Sequence, residues 1–365
     1  MSYSLTPTPF KVGALYDLPI SISFCMPTMA LCLVALGWLP TAQSADLSGV
    51  YDVGTITPLQ RPEEFGKNLY LSPEEAKARE AAMAARMAAA GERSDPNRSA
   101  PEAGGRVGGY NAFWVDPGST QNMVDGKFRT SIISHPENGR VPAMNAQGAA
   151  RLKNFLDNWF IIWRNPDPTT SRNTGTAWWL EEGDSGPYDN MEQRPLAERC
   201  IIGSRSTAGP PMLPNFYNNH KRIIQTPGHV MILTEMNHDA RIIRLQSEHS
   251  DPGYRAWLGD SVGTWDGDTL VVKTKHFKDT PPLSGTDHNL EVEERFTKQE
   301  DGSLLYAFTV SDPTVWDESW GGEYSWRHAP NDKVYEYACH EGNYTLGNVM
   351  RGARQLEADA AASGD

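Results

Sequence analysis

From Arg222 onward the sequence falls into short alternating runs of apolar and polar residues separated by tight turns, a rhythm that few folds accommodate. Arg222–Thr226 and Val230–Met236 flank Pro227-Gly228-His229, and Arg241–Leu245 follows the turn Asn237-His238-Asp239. Ser261–Trp265 and Asp268–Phe277 enclose Asp266-Gly267, the dipeptide that two-residue hairpin turns favour because glycine accepts positive φ. Leu290–Thr297 and Leu304–Val310 enclose Asp301-Gly302, and Lys333–Cys339 reads as the last strand. About eight antiparallel strands joined this closely must close on themselves or protect their edges. The pattern therefore predicts a mainly β fold, an up-and-down, lipocalin- or calycin-like barrel or strongly curved sheet, over residues 201–353.

The region before it, residues 46–200, is poorer in strands. Leu47–Val53 reads as a short first strand, and Ser72-Pro73-Glu74-Glu75 supplies an N-cap, a first-turn proline and a capping-box glutamate for an Ala-rich helix ending at Gly91. That helix has few large apolar residues, which predicts a surface position. Residues 92–109 read as a linker, and Tyr110–Val115 and Phe128–Ile133 as strands around the turn Val124-Asp125-Gly126-Lys127. Residues 165–195 read as loops, and 354–365 as a disordered tail. No βαβ alternation or Gly-rich phosphate loop is present, so nucleotide chemistry is not expected.

Met29–Leu39 is an apolar run too short for a membrane span, and it leads into Thr41-Ala42-Gln43-Ser44-Ala45, whose small residues suit signal-peptidase cleavage. The expectation is an export signal over residues 1–45, with the start at Met1, Met26 or Met29. A periplasmic or secreted protein without stable membrane insertion follows from it. Lys11 and Asp17 cancel, so the mature chain keeps the net charge of −13, which disfavours nucleic acid and anionic membranes and suits a small neutral or apolar organic ligand. Cys25 and Cys32 leave with the signal. Cys200 and Cys339 remain as a pair that an oxidising compartment would bridge.

The stretch Gly259-Asp260-Ser261-Val262-Gly263-Thr264-Trp265-Asp266-Gly267-Asp268-Thr269-Leu270-Val271-Val272, with Asp312-Pro313 and the ending Cys339-His340-Glu341-Gly342-Asn343-Tyr344, resembles a family of exported, largely uncharacterised bacterial proteins. The family carries the signature Gly-Asp-Ser-x-Gly-x-Trp-Glu-Gly-Asp-Thr-Leu-Val-Val. The likeness covers roughly residues 46–353, with Asp266 in place of the usual Glu. It implies export and kinship and adds no mechanism.

Candidate chemistry gathers at strand ends. His340 and Glu341 leave the expected last strand as an imidazole beside a carboxylate, a general acid–base pair. Glu294 shares a strand face with Val292 and Phe296, so it is either a desolvated proton donor or a paired structural charge. Glu235, His238, Asp239 and Arg241 surround one turn. Glu235, in phase with Leu233, is expected to face inward and to pair with Arg241 or Arg244, which would orient a substrate or lock the hairpin. Trp257, Trp265, Trp316, Trp320, Trp326, Tyr335 and Tyr337 could line a pocket or fill a core. His229, His238, His249 and His340 lack tight ligand spacing, so neither metal nor cofactor is expected. Ser261 precedes a hairpin and not the strand-to-helix elbow of a serine hydrolase.

Two functions fit this pattern. The first is an exported enzyme performing acid–base chemistry, as a lyase, isomerase or hydrolase, on a small aromatic or terpenoid-like compound in a barrel pocket. In it His340, Glu341, Glu294, Arg241 and His238 are catalytic, while Glu235, Asp239, Trp265, Trp320, Tyr335 and Tyr337 bind. The second is a lipocalin-like carrier with no chemistry. Neither fixes an oligomeric state.

Overall fold

The computed structural model describes residues 45–93, 114–159, 177–180, 188–279 and 285–363, with Asn97, Ser99 and Leu283. The expected export signal lies outside the described residues apart from Ala45, as do most of the 92–109 linker, residues 110–113 of the expected 110–115 strand and much of the 165–195 loop; Trp114 and Val115 form no strand.

Strand β1 (Gly49–Asp52) is followed by β2 (Tyr70–Leu71) and helix α1 (Pro73–Ala90). The capping box forms as the sequence specifies: the Glu75 N–H donates to Ser72 Oγ at 3.2 Å, and the Ser72 N–H donates to Glu75 Oε2 at 2.8 Å. Ala76 is the buried residue of α1, so the helix lies on the surface as its composition predicts. The turn at Asp125-Gly126 joins β3 (Met123–Val124) to β4 (Lys127–Arg129), and β5 (Ile133–His135) comes next. The sequence pattern marks no helix at Ala146–Trp159, which forms α2.

The barrel is built from β1 and eight later strands: β6 (His220–Gln225), β7 (His229–Thr234), β8 (Ala240–Leu245), β9 (Asp260–Asp266), β10 (Thr269–Lys275), β11 (Glu291–Lys298), β12 (Leu304–Ser311) and β13 (Trp320–His328). Consecutive strands pair in order, and β1 closes the ring by pairing with both β6 and β13, where Tyr51 sits opposite His328. β5 adds to β13. One neighbour breaks the expected up-and-down antiparallel order, because β8 and β9 run parallel, with Ile243 opposite Ser261. Parallel neighbours need a crossover of roughly a dozen residues, and Gln246–Gly259 supplies it across the outer wall.

The end of the chain departs from expectation. Lys333–Cys339 is irregular, and the last strand is β13. Trp320, Tyr324 and Trp326 alternate inward along β13, but Gly321-Gly322 masks the period-2 signal. Both glycines are required: a Cβ on Gly321 would overlap the Phe308 carbonyl, and one on Gly322 the Ile132 carbonyl. The expected disordered tail is helical as far as Ser363. α3 (Thr345–Ser363) buries Ala353 against Ala177 and Trp179, and Trp179 Nε1 donates to Glu357 at 2.9 Å. A Cys200–Cys339 disulfide, spanning 139 positions, fixes the irregular segment.

Side chains fill the lumen. Phe296, Tyr306 and Tyr324 face one another across β11, β12 and β13, and the Tyr306 ring lies 4.8 Å from that of Trp326. The segment Ser206–Leu213 is buried with them. The Met212 N–H donates to Tyr306 Oη at 2.8 Å, and Tyr324 Oη donates to the Met212 carbonyl at 2.9 Å.

Candidate functional site

Among the described residues, the lumen carries a charged pair made possible by strand phase. Glu294 shares its buried face with Val292 and Phe296, as predicted, and Arg241 points inward from β8. Glu294 is 0% exposed and Arg241 3%. The guanidinium donates to both Glu294 oxygens, at 3.0 Å through Nη1 and closely through Nη2, and Nε donates to Ser261 Oγ at 3.1 Å. Tyr306 Oη donates to Glu294 Oε1 at 2.8 Å. Burial, and then the Glu294 charge, pushes the Tyr306 phenol well above its ordinary pKa. Arg241 therefore pairs with Glu294, not with the expected Glu235.

Glu235 is buried by a different route from the one its sequence phase suggests. Ile232 and Thr234 face the lumen, and Glu235 lies just past the end of β7. There it accepts hydrogen bonds from Asn218 Nδ2 at 2.6 Å and the Tyr335 N–H at 3.2 Å, with His220 Nδ1 3.8 Å away. Lys221 is 1% exposed at this end of the barrel and donates to the Thr207 carbonyl at 2.5 Å and to Thr234 Oγ1 at 3.3 Å. Burial lowers its pKa to about 7, against the opposing pull of Asp239 and Glu235. Because the unfolded chain binds this proton up to about pH 10.5 and the folded chain releases it above about pH 7, wild-type stability rises between those values. Urea titrations at pH 7 and pH 10 should show wild type gaining on Lys221→Met by roughly 1.4 kcal/mol per pH unit. A pH-independent difference would contradict the lowered Lys221 pKa.

A groove of about 660 Å³ lies on the outer wall, against the solvent face of β8. Ala240, Ile242 and Arg244 form its floor, Tyr254 and Ala256–Gly259 of the crossover its far wall, and Cys200–Ile202 with Asn237–Asp239 one end. It exists because β9 joins β8 only from Ile243 onward, leaving the first half of β8 uncovered on that side. His229 and His238 are exposed at its margin, and Ile242 is 49% exposed. Asp239 is buried, with Oδ2 accepting the Gly203 N–H at 2.6 Å and Oδ1 accepting Asn237 Nδ2 at 3.4 Å. Burial raises its pKa above the ordinary carboxylate value.

At the β9 end of the groove, Asp260 holds the crossover in place. Its Oδ2 accepts the Ser250 N–H at 2.7 Å and Arg244 Nη2 at 3.1 Å, and His249 Nδ1 lies 3.3 Å away. Burial pushes the Asp260 carboxyl up, but Ser250, Arg244 and His249 together hold it below its ordinary value. His276 follows β10, opposite the start of β9, and its carbonyl accepts the Ala256 N–H at 3.1 Å. Its ring stands edge-on to His249 at 5.7 Å. Burial lowers the His276 pKa, and Lys275 and His249 add to the effect.

The fold thus brings His238, Asp239 and Arg241 to one groove, although the Arg241 guanidinium faces the lumen. The other expected residues lie elsewhere. His340 and Glu341 are exposed in the irregular segment, and Tyr335 is 68% exposed with its N–H on Glu235. Tyr337 is half-buried there, Trp265 packs partly buried against the core, and Trp320 is 1% exposed between Phe308 and Trp316. Sequence reasoning did not single out Tyr254, Asp260, His276 or Lys221. The signals available were the inward phase of Lys221 beside Ile223 and the place of Asp260 in the Gly259–Val272 signature. Among the described residues, no helix is long and apolar enough to cross a membrane. Compared with known proteins, the chain matches no family model, no curated protein and no solved structure.

Proposed function

We propose that the protein is an exported enzyme performing acid–base chemistry, of lyase, isomerase or hydrolase type, on a small aromatic or terpenoid-like molecule seated in the groove against β8. The observation that carries this reading is the placement of an exposed imidazole, His238, beside the buried Asp239 carboxyl with its raised pKa, in one concavity walled by Tyr254 and Trp257. Two neighbouring groups with environments this different divide naturally into acid and base. Asp239 delivers a proton, His238 removes one, and the aromatic wall covers the apolar part of the ligand. The disulfide, the apolar run before Ala45 and the resemblance to an exported family support export to the periplasm or beyond.

The second reading, a carrier using the same groove without chemistry, has its own support. The Gly203 N–H and Asn237 already engage Asp239, as they would in a purely structural cap.

Native mass spectrometry of protein taken from the periplasm, followed by incubation of emptied protein with the released compound, separates the two. The enzyme reading expects an altered compound; recovery of the compound unchanged leaves the carrier. Ile242→Trp should fill the groove and reduce ligand capture at least about tenfold without loss of stability, because Ile242 is half exposed. His238→Ala should keep capture and lower turnover by roughly 100-fold or more. Unimpaired capture by Ile242→Trp would place the ligand elsewhere.

A further inference from the structure

We propose that His249, Asp260 and His276 form a binding site for one divalent transition-metal ion of the zinc class. This site is independent of the acid–base reading of the groove, and either can fail without the other. The three residues come from separate segments: the crossover, the start of β9 and the residue after β10. Each offers a ligand atom, and these atoms lie within 4.8 Å of one another. Bonds of ~2.0–2.2 Å put tetrahedral ligand atoms ~3.3–3.5 Å apart, and His249 Nδ1 to Asp260 Oδ2 is already 3.3 Å. The widest separation, 4.8 Å at most, exceeds that spacing by roughly 1.3–1.5 Å, a movement that rotation of two side chains shares.

A second observation points the same way. His276 Nδ1 is buried and has no hydrogen-bond partner among the described residues, whereas buried polar atoms are almost always paired. A metal bound in this cluster gives the His276 ring a partner that the protein does not supply. The backbone on both sides fixes the arrangement, through the Ala256 N–H on the His276 carbonyl and the Lys278 N–H on the Ala256 carbonyl.

The donor set also selects the ion. Calcium and magnesium need several oxygen ligands, and this site offers one carboxylate flanked by two imidazoles. Arg244 contacts Oδ1 at 3.0 Å and Oδ2 at 3.1 Å. A metal on Oδ2 displaces the second contact and leaves the first, and an outer partner on the free oxygen is the usual way a ligating carboxylate is oriented. Three protein ligands leave a fourth position for water or an incoming oxygen, the arrangement of catalytic and not of structural zinc.

The test is titration of the chelator-treated full-length protein with Co²⁺ and with Zn²⁺, read by visible absorption, calorimetry and thermal unfolding. One equivalent of Co²⁺ with tetrahedral-type absorption is expected, together with a Zn²⁺-dependent rise in Tm. His249→Ala and His276→Ala should each weaken binding by more than roughly 100-fold, since even outer partners of metal sites carry ~10–100-fold in affinity. Wild-type protein that binds no Co²⁺ overturns the proposal, whatever the variants do. So does undiminished binding by either variant.

Discussion

Glu294→Ala lowers stability by about 3–5 kcal/mol, because it leaves Arg241 charged and without a counter-ion inside the barrel. The lost carboxylate also takes away the acceptor of the Tyr306 hydroxyl, whose oxygen receives the Met212 N–H, so the segment plugging the lumen loosens with it. The paired substitution Arg241→Met with Glu294→Leu should recover most of the loss. Both charges then leave together, and apolar side chains replace them in a row already shared with Val292 and Phe296. Urea unfolding of wild type, single and double variants checks this. A single-variant cost below about 1 kcal/mol would mean that water reaches the pair and that the lumen is not sealed.

Removing the disulfide has a comparable effect by a different mechanism. Cys339→Ser should cost about 4–5 kcal/mol, since the bridge closes a loop of 139 positions and so restricts the unfolded chain. The folded state should change locally as well. Residues 333–344 form no strand, and their attachments include the bridge, the Tyr335 N–H on Glu235 and turn contacts. Limited proteolysis of the reduced protein should therefore cut first between Lys333 and Tyr344, while α3 stays on Ala177 and Trp179. Cys200 lines one end of the groove, so reduction should weaken ligand capture too. Cleavage of the barrel strands before this segment would contradict the assignment.

Local pattern was enough for most of the barrel. β6 to β12 appear where alternation and turn residues place them, because each strand buries one face and has its partner next in the chain. The same locality explains the errors. Val334-Tyr335-Glu336-Tyr337 has strong strand propensity, but β1 takes the open side of β13 through Tyr51 and His328, so no edge is left for another strand. β13 escaped notice because Gly321-Gly322 interrupts an aromatic alternation that the tight approach of Phe308 and Ile132 demands. The inward face of Glu294 could be read from Val292 and Phe296, whereas its partner, 53 residues earlier, could not. The groove was hidden more deeply. It depends on β8 and β9 being parallel, a pairing that alternation alone cannot signal, and the same crossover brings His249 to Asp260 and His276.

The most direct test is a crystal structure of the protein purified from its native source with any bound small molecule retained. Ordered density is expected along β8 between Ile242 and Trp257, within hydrogen-bond reach of His238 or Asp239. Density inside the barrel beside Phe296 and Tyr306, or on the exposed His340–Glu341 segment, would contradict it.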